Sequence, residues 1–373
     1  MSVVKFGDVV REVKINIDRS ADDHEFFIAG EHMDSNNIHI TRRGKFSESD
    51  VGPAFTRLFR PGQVLYGSRR TYLRKVAVAD FEGITSNTTF VLETKDNRIL
   101  MQELLPYIML TESFSDYAIK NSKGSTNPYI LFKDLAAYQF DLPSIEEQCE
   151  LVGLLGACDR AKEAYKRLLK QTDELVKSQF IEMFGDADDC RFEVSTIGDT
   201  CKLKSGTTFP ADKEQAEGDF LYAKVSDMNL PGNELYIRSS KSQVSAATAG
   251  NTPIPAGSVI FPKRGGAIGT NKKRILSDDT CVDLNTMGVI PGERLLTEYL
   301  YQFFLNLDLL SLADGSAIPQ LNNRQIAPVK IVVPPIDLQK EFKELFQQSD
   351  KSKFELKQAI DRIDEMIRAL MKD

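Results

Sequence analysis

The sequence is poor in the residues that build metal and disulfide frameworks. Its five cysteines (Cys149, Cys158, Cys190, Cys201, Cys281) form no CxxC pair, and its three histidines (His24, His32, His39) stand in one segment without cysteine neighbours. That pattern excludes the usual structural zinc spacings and leaves Cys158 to act as a small buried hydrophobe. No apolar run approaches the roughly 20 residues a membrane span needs, and the start MSVVKFGDVV lacks the basic-then-apolar layout of a signal peptide, so the cytoplasm is the expected location. Positive charge is not in excess either: 47 Lys and Arg face 54 Asp and Glu, a net charge of −7, which argues against a simple basic nucleic-acid protein. What the 373 residues do contain is 42% hydrophobic side chains, enough to build real cores in a multidomain protein.

Two segments organise the rest. Phe342, Phe346, Ser349, Lys353, Leu356, Ile360, Ile363, Ile367 and Leu370 alternate spacings of 4 and 3, a heptad seam on a long helix. Subtracting 191 gives Leu151, Leu155, Cys158, Lys162, Tyr165, Leu169, Thr172, Val176 and Gln179, the same seam with a lysine again at its fourth place. The repeat extends beyond the helices. Phe6-Gly7-Asp8 matches Ile197-Gly198-Asp199, Gly124-Ser125 with Pro128 matches Gly315-Ser316 with Pro319, and FDLPSIEEQCEL matches IVVPPIDLQKEF, all at 191. Between these anchors the offset grows to 195 at Gly62/Gly257 and to 198 if Asn87-Thr88 is paired with Asn285-Thr286, as insertions in a duplicated domain would require.

The expected fold class is therefore α+β, with two repeated domains of mainly antiparallel strands and two long helices. Boundaries fall at 1–143 for the first domain, 144–185 for the first long helix, 186–335 for the second domain and 336–373 for the second long helix. Strands are expected at 64–66, 75–78, 88–92, 259–261 and 287–290, and apolar helical stretches at 99–119 and 295–312. The helices, each leaving one domain and returning to the other, should pair antiparallel through Leu151, Leu155, Tyr165, Leu169 and Val176 against Phe342, Phe346, Leu356, Ile360, Ile363 and Ile367. Because 3–8 repeats 194–199, the arrangement should be circular and pseudo-twofold, with the chain ends close together. An acidic linker, Asp186 to Asp189, joins the halves.

This layout resembles the specificity subunit of type I restriction-modification systems. The resemblance spans the chain and rests on the duplicated domain, each copy closed by a GS-x-x-P turn (GSTNPYI, GSAIPQL) and an LPS or VPP junction into a Q-x-E helix. It implies a non-catalytic subunit that reads a split double-stranded DNA target, one target-recognition domain per half-site. It further implies that the long helices dock two modification (adenine methyltransferase) subunits, joined by restriction (translocase and nuclease) subunits. S-adenosylmethionine, ATP and magnesium would then be held by those partners and no cofactor by this chain.

Local charge agrees with DNA binding although the total does not. Residues 51–79 contain Arg57, Arg60, Arg69, Arg70, Arg74 and Lys75 and no acid; residues 235–277 contain Arg238, Lys241, Lys263, Arg264, Lys272, Lys273 and Arg274 and again no acid. Both windows fall on matching Gly-turn-strand units, with Arg69 aligned to Arg264. Clustered cations of this kind neutralise phosphates, and arginine can read guanine edges. The long helices carry mixed charge instead, so the flanking Leu154, Leu168, Leu175 and Leu345 become candidates for subunit docking or, equally by spacing, for a wide core stripe.

Several catalytic motifs are decoys. Asn127-Pro128-Tyr129 is like a methyltransferase (D/N)-P-P-(Y/F) loop, yet its copy reads Ile318-Pro319-Gln320. Lys263 to Gly269 is glycine-rich, but no GK(S/T) follows to hold phosphates. The sharper alternative is a self-contained metal-dependent nuclease built on Asp80, Glu93 and Lys95, although Pro291 stands where the other copy would need Glu93. A coiled-coil scaffold with no DNA role is the second alternative.

Overall fold

The computed structural model describes residues 2–18, 24–185 and 191–371, so the acidic linker Asp186–Asp189 and Cys190 lie outside the described residues. It divides into two compact units, Met1–Lys166 with Lys357–Asp373, and Arg167–Leu356.

The repeat is present element by element. In unit one, strand Ser2–Lys5 pairs antiparallel with Gln139–Leu142; in unit two, Glu193–Thr196 pairs identically with Lys330–Val333. A short turn of helix follows each first strand, Phe6–Val9 and Ile197–Thr200. Its glycine is needed for close approach: a Cβ on Gly7 would stand 2.6 Å from Ala136 Cβ, and one on Gly198 would stand 3.0 Å from Ala327 Cβ. The repeated Phe/Ile-Gly-Asp motif is thereby explained as a packing device.

Unit one holds a four-stranded antiparallel sheet in the order Val10–Glu12, Thr89–Thr94, Val64–Gly67, Val76–Val78. Unit two has the corresponding sheet, with Cys201–Ser205, Thr286–Pro291, Val259–Pro262 and Arg274–Leu276, plus an added parallel edge, Tyr236–Ile237. The β-branched runs expected at 64–66, 75–78, 88–92, 259–261 and 287–290 all lie in these sheets. Strand Thr89–Thr94 corresponds to Thr286–Pro291, an offset of 197, which corrects the 198 drawn from the Asn-Thr pairs.

Each unit also carries a further sheet that the sequence did not announce, four-stranded in unit one and three-stranded in unit two. In unit one its order is Gly44–Lys45, Phe26–Ile28, Gly83–Ser86, Phe55–Phe59; in unit two it is Ser242–Val244, Phe220–Ala223, Cys281–Val282. Phe26–Ile28 pairs parallel with Gly83–Ser86, and Phe220–Ala223 pairs parallel with Cys281–Val282. The apolar stretch expected as one helix over 99–119 is broken into Leu105–Ile108 and Glu112–Lys120, because Thr111 takes extended backbone and its hydroxyl accepts from Phe114 N–H as an N-cap. Its counterpart is Thr297–Asn306, shorter than the expected 295–312.

The long helices run Ile145–Phe184 and Ile336–Leu370. Each is locked to its preceding domain by a fully buried glutamine. Gln148 accepts from Met101 N–H and donates to the carbonyls of Ile99 and Pro143; Gln339 accepts from Leu296 N–H and donates to those of Arg294 and Pro334. The glutamine of the Q-x-E pattern thus satisfies three buried backbone groups in each copy.

The seam forms as expected and runs antiparallel. Every seam residue is buried or half-buried, whereas Leu154, Leu168 and Leu175 are exposed. In unit two, Phe342 packs edge-on against Phe180 and Phe184, within a core that includes Val176 and Phe346. In unit one, Leu151, Leu155, Ile367 and Leu370 share a core with Val4, so the second long helix comes to rest beside the N-terminal strand. The repeated lysine has a partner that sequence reading missed: Lys162 pairs with Asp364 in unit one and Lys353 with Asp173 in unit two, residues again 191 apart. Cys158 is buried with its sulfur 3.7 Å from Met366, a packing role.

Candidate nucleic-acid interface

A cation held by buried or multiple partners within the fold is less available to an incoming phosphate than one at the surface, and the two windows contain both kinds. Arg57 is buried and pairs with Glu12 at 3.0 Å. Arg60 pairs with Glu82, and Arg74 with Glu112 and the Leu110 carbonyl. Lys75 donates to Gly30 O and Lys272 to Asn229. Lys273 is 1% exposed and donates to Asn271 and to Leu307 O, and burial pushes its pKa down to about 8. Arg274 donates to the carbonyls of Lys273 and Met228.

Arg57, Arg74, Lys273 and Arg274 are thus committed to partners within the fold. Arg74 and Lys273 do the same work in the two copies: each donates to a carbonyl just past a helix end, where cations stabilise the exposed acceptors. Glu12, Glu82 and Glu112 reach these cations from outside the acid-free windows.

Arg69, Arg70 and Arg264 remain exposed, with no side-chain ion pair among the described residues. Lys263 is half-buried and donates to Ser205. These four sit on one construction used twice. After strand Val64–Gly67, Ser68 to Arg70 run alongside Pro128 to Ile130: Ile130 N–H donates to Ser68 O, Arg69 bridges Tyr129, and Arg70 N–H donates to Pro128 O. After strand Val259–Pro262, Leu321 N–H donates to Lys263 O, Arg264 bridges Gln320, and Gly265 N–H donates to Pro319 O. The GS-x-x-P turn is thus the ledge that holds the cationic dipeptide in place.

Immediately afterwards both copies turn through left-handed backbone, at Arg70 (φ 50°) and Gly265 (φ 65°). A 3₁₀ turn follows, Thr71–Leu73 or Gly265–Thr270, closed by a second left-handed residue, Arg74 (φ 49°) or Asn271 (φ 52°). Left-handed backbone at a non-glycine costs about 1 kcal/mol or more, and such strain gathers where function fixes the chain. The glycine-rich 265–270 segment is thus a 3₁₀ turn.

Electrostatics point the same way. Lys263 has its pKa lowered first by burial and then by the adjacent Arg264; Lys75 is lowered first by burial and then by Arg70. Like charges crowd here, and an anion would relieve them. Beside Arg69 and Arg70 stand two exposed aromatics, Tyr129 of the Asn127-Pro128-Tyr129 turn at 41% and Tyr72 at 52%, the second of which the sequence reading did not single out.

The residues 20–172 and 191–364 each match the type I restriction modification DNA specificity domain. The chain belongs to that family. It is a type I restriction-modification specificity subunit, and such subunits are non-catalytic DNA-recognition components. It is 26% identical over 342 residues to the type I restriction enzyme MjaIX specificity subunit of Methanocaldococcus jannaschii, covering 83% of this chain and 76% of that one. It is 29% identical over 131 residues to the EcoDI specificity subunit of Escherichia coli, covering 34% and 28%.

In fold, it matches a chain solved in work on complex assembly and conformational transition of the type I R-M system, with TM-score 0.58 and 16% identity over 100% of this chain and 96% of that one. It also matches the S subunit of the type I system from M. genitalium, with TM-score 0.55 and 14% identity over 99% and 95%.

The nuclease alternative fails on this footing. Glu93 is held by Arg11 and Gln63; burial alone would raise its pKa, but these bonds outweigh it and the carboxyl titrates below the usual range. Lys95 donates to Gly7 O at 2.5 Å. Among the described residues no cluster of His, Cys, Asp and Glu is arranged to hold a metal, and no helix is long and apolar enough to cross a membrane.

Proposed function

We propose that this specificity subunit reads a bipartite double-stranded DNA target, with the first recognition domain on one half-site and the second on the other. The observation that carries the reading is the equivalence of Arg69 and Arg264, exposed at the same bridge beside the same turn in each copy. Phosphates would be met by Arg69 and Arg70 on one half and by Lys263 and Arg264 on the other, with Tyr72 and Tyr129 offering flat apolar faces beside the first pair. Arg60, Lys75 and Lys272, held by single surface contacts, can rearrange towards a phosphate at small cost.

The long helices would dock two adenine methyltransferase subunits, with exposed Leu168 and Leu175 as anchors, and restriction subunits would join that core. S-adenosylmethionine, ATP and magnesium would be held by those partners. Footprinting of the R69A/R70A double variant on a split target tests the division of labour. Loss of protection over one half alone is expected, and unchanged protection over both halves refutes it.

A further inference from the structure

Each cationic turn is held from two sides, and the second support is again the same in both copies. In unit one, the N–H and the hydroxyl of Ser68 both donate to Thr88 O, at 3.1 and 2.6 Å, in the loop that joins strands Gly83–Ser86 and Thr89–Thr94. In unit two, Lys263 N–H donates to Asn285 O at 2.8 Å, in the loop between Cys281–Val282 and Thr286–Pro291. The carbonyl of that same residue accepts from the GS-x-x-P side, Ile130 N–H bonding Ser68 O and Leu321 N–H bonding Lys263 O. The three segments therefore superpose at offsets of 195 for Ser68/Lys263, 197 for Thr88/Asn285 and 191 for Ile130/Leu321.

On this common frame the outward side chains differ in kind. The residue before the loop carbonyl is Asn87 in unit one and Leu284 in unit two; the residue before the turn proline is Asn127 in unit one and Ile318 in unit two. Asn87 and Asn127 are exposed, with no side-chain hydrogen bond among the described residues. Leu284 is 45% and Ile318 is 63% exposed, and Ile318 Cγ2 lies 3.9 Å from where a Cβ on Gly265 would stand, against the cationic turn itself. None of the four is charged, so none adds to phosphate neutralisation, the contact that carries no sequence information directly. What they offer is chemistry that separates bases. A side-chain amide presents a donor and an acceptor side by side, as the N6 and N7 edge of adenine does in the major groove, whereas an aliphatic side chain is answered there only by the methyl group of thymine.

We propose that Asn87 and Asn127 read adenine in the half-site of the first domain, and that Leu284 and Ile318 read thymine through its methyl group in the half-site of the second. The inference rests on the bipartite reading above. The probe is a duplex carrying the target that a complex of the full chain with its neighbouring methyltransferase selects from a randomised library. Placing deoxyuridine for thymine in the second half removes only the methyl group, and affinity should fall about fourfold at a contacted position. Placing 7-deazaadenine for adenine in the first half removes the N7 acceptor and should weaken binding roughly fivefold. Leu284→Ala with Ile318→Ala should erase the deoxyuridine effect and keep the other; Asn87→Ala with Asn127→Ala should do the reverse. Leu284→Asn with Ile318→Asn, which gives unit two the amides of unit one, should change the bases selected in the second half alone. All four positions are at the surface, and unchanged melting temperatures would show that the variants fold. A split target bound with no response to either base analogue, or with responses that survive the alanine pairs, overturns the inference while leaving the bipartite reading in place. Selection of no split target, or a footprint unchanged over both halves in the R69A/R70A variant, removes that reading and the inference with it.

Discussion

Replacing Arg69 and Arg70 together with alanine should change the salt dependence of DNA binding by a calculable amount. Each phosphate contact contributes about 0.9 to the slope of log K against log salt, so losing two should flatten it by roughly 1.8. Over a fourfold rise in salt, from about 50 to about 200 mM, the wild-type advantage should then shrink by roughly tenfold. Lys263→Ala with Arg264→Ala should behave alike, with a smaller change if Lys263 keeps its bond to Ser205.

The control is Arg57→Ala, which leaves Glu12 buried with only Lys14 nearby at 3.0 Å. It should cost about 2–4 kcal/mol of stability, near the lower end for a broken buried pair, and leave the slope unchanged. Anisotropy titrations of a labelled duplex across a potassium chloride series measure the slope, and thermal denaturation measures the control. A double variant whose slope equals wild type would refute the assignment of these arginines to phosphate.

Other predictions follow from the same geometry. Gln148→Leu or Gln339→Leu removes three hydrogen bonds to buried backbone groups and should destabilise by about 2–4 kcal/mol, read as a lowered denaturation midpoint; a change within error would deny the glutamines their anchoring role. His39 contacts Asp159 at 2.8 Å, and that bond, partly opposed by burial and assisted by the charges of Asp159 and Glu163 against Lys166, raises its pKa. A raised histidine pKa contributes stability fully below about pH 6.5, and this fades as pH climbs through the folded value. The melting-temperature gap between wild type and His39→Gln should therefore be widest at mildly acidic pH and narrow above neutrality, and a gap that widens with pH would contradict the pairing. Adding one heptad after Lys166 and another after Lys357 lengthens both helices by roughly 10 Å, and selection from spacer libraries should return the same half-sites about three base pairs further apart. A heptad in one helix alone should unpair the seam and damage assembly.

Much of this architecture could be read from the chain because the duplication repeats chemistry at fixed distance. The seams, the helix bounds and the alignment of Arg69 with Arg264 follow from offsets in the sequence, and no local propensity was needed. The second sheet of each unit escaped notice because its strands run two to five residues, too short for periodicity to register. The cationic windows do not by themselves tell which cations the fold leaves free. Absence of acid within a sequence window says nothing about acids delivered by another strand, as Glu12 is to Arg57. A carbonyl can also consume a cation with no acid involved, as Leu307 does with Lys273. The lysines of the seam were visible, but Asp173 and Asp364 gain meaning only once the helices are known to run antiparallel.

The central claim is that one chain reads two half-sites for a methyltransferase partner. Methylome sequencing of a host carrying this chain and its neighbouring methyltransferase tests it most directly. The account predicts a split, adenine-methylated motif that disappears when the chain is removed, and that loses one half's specificity when Arg69 and Arg70 are replaced. A methylation pattern that persists without the chain, or a single undivided motif, would contradict it.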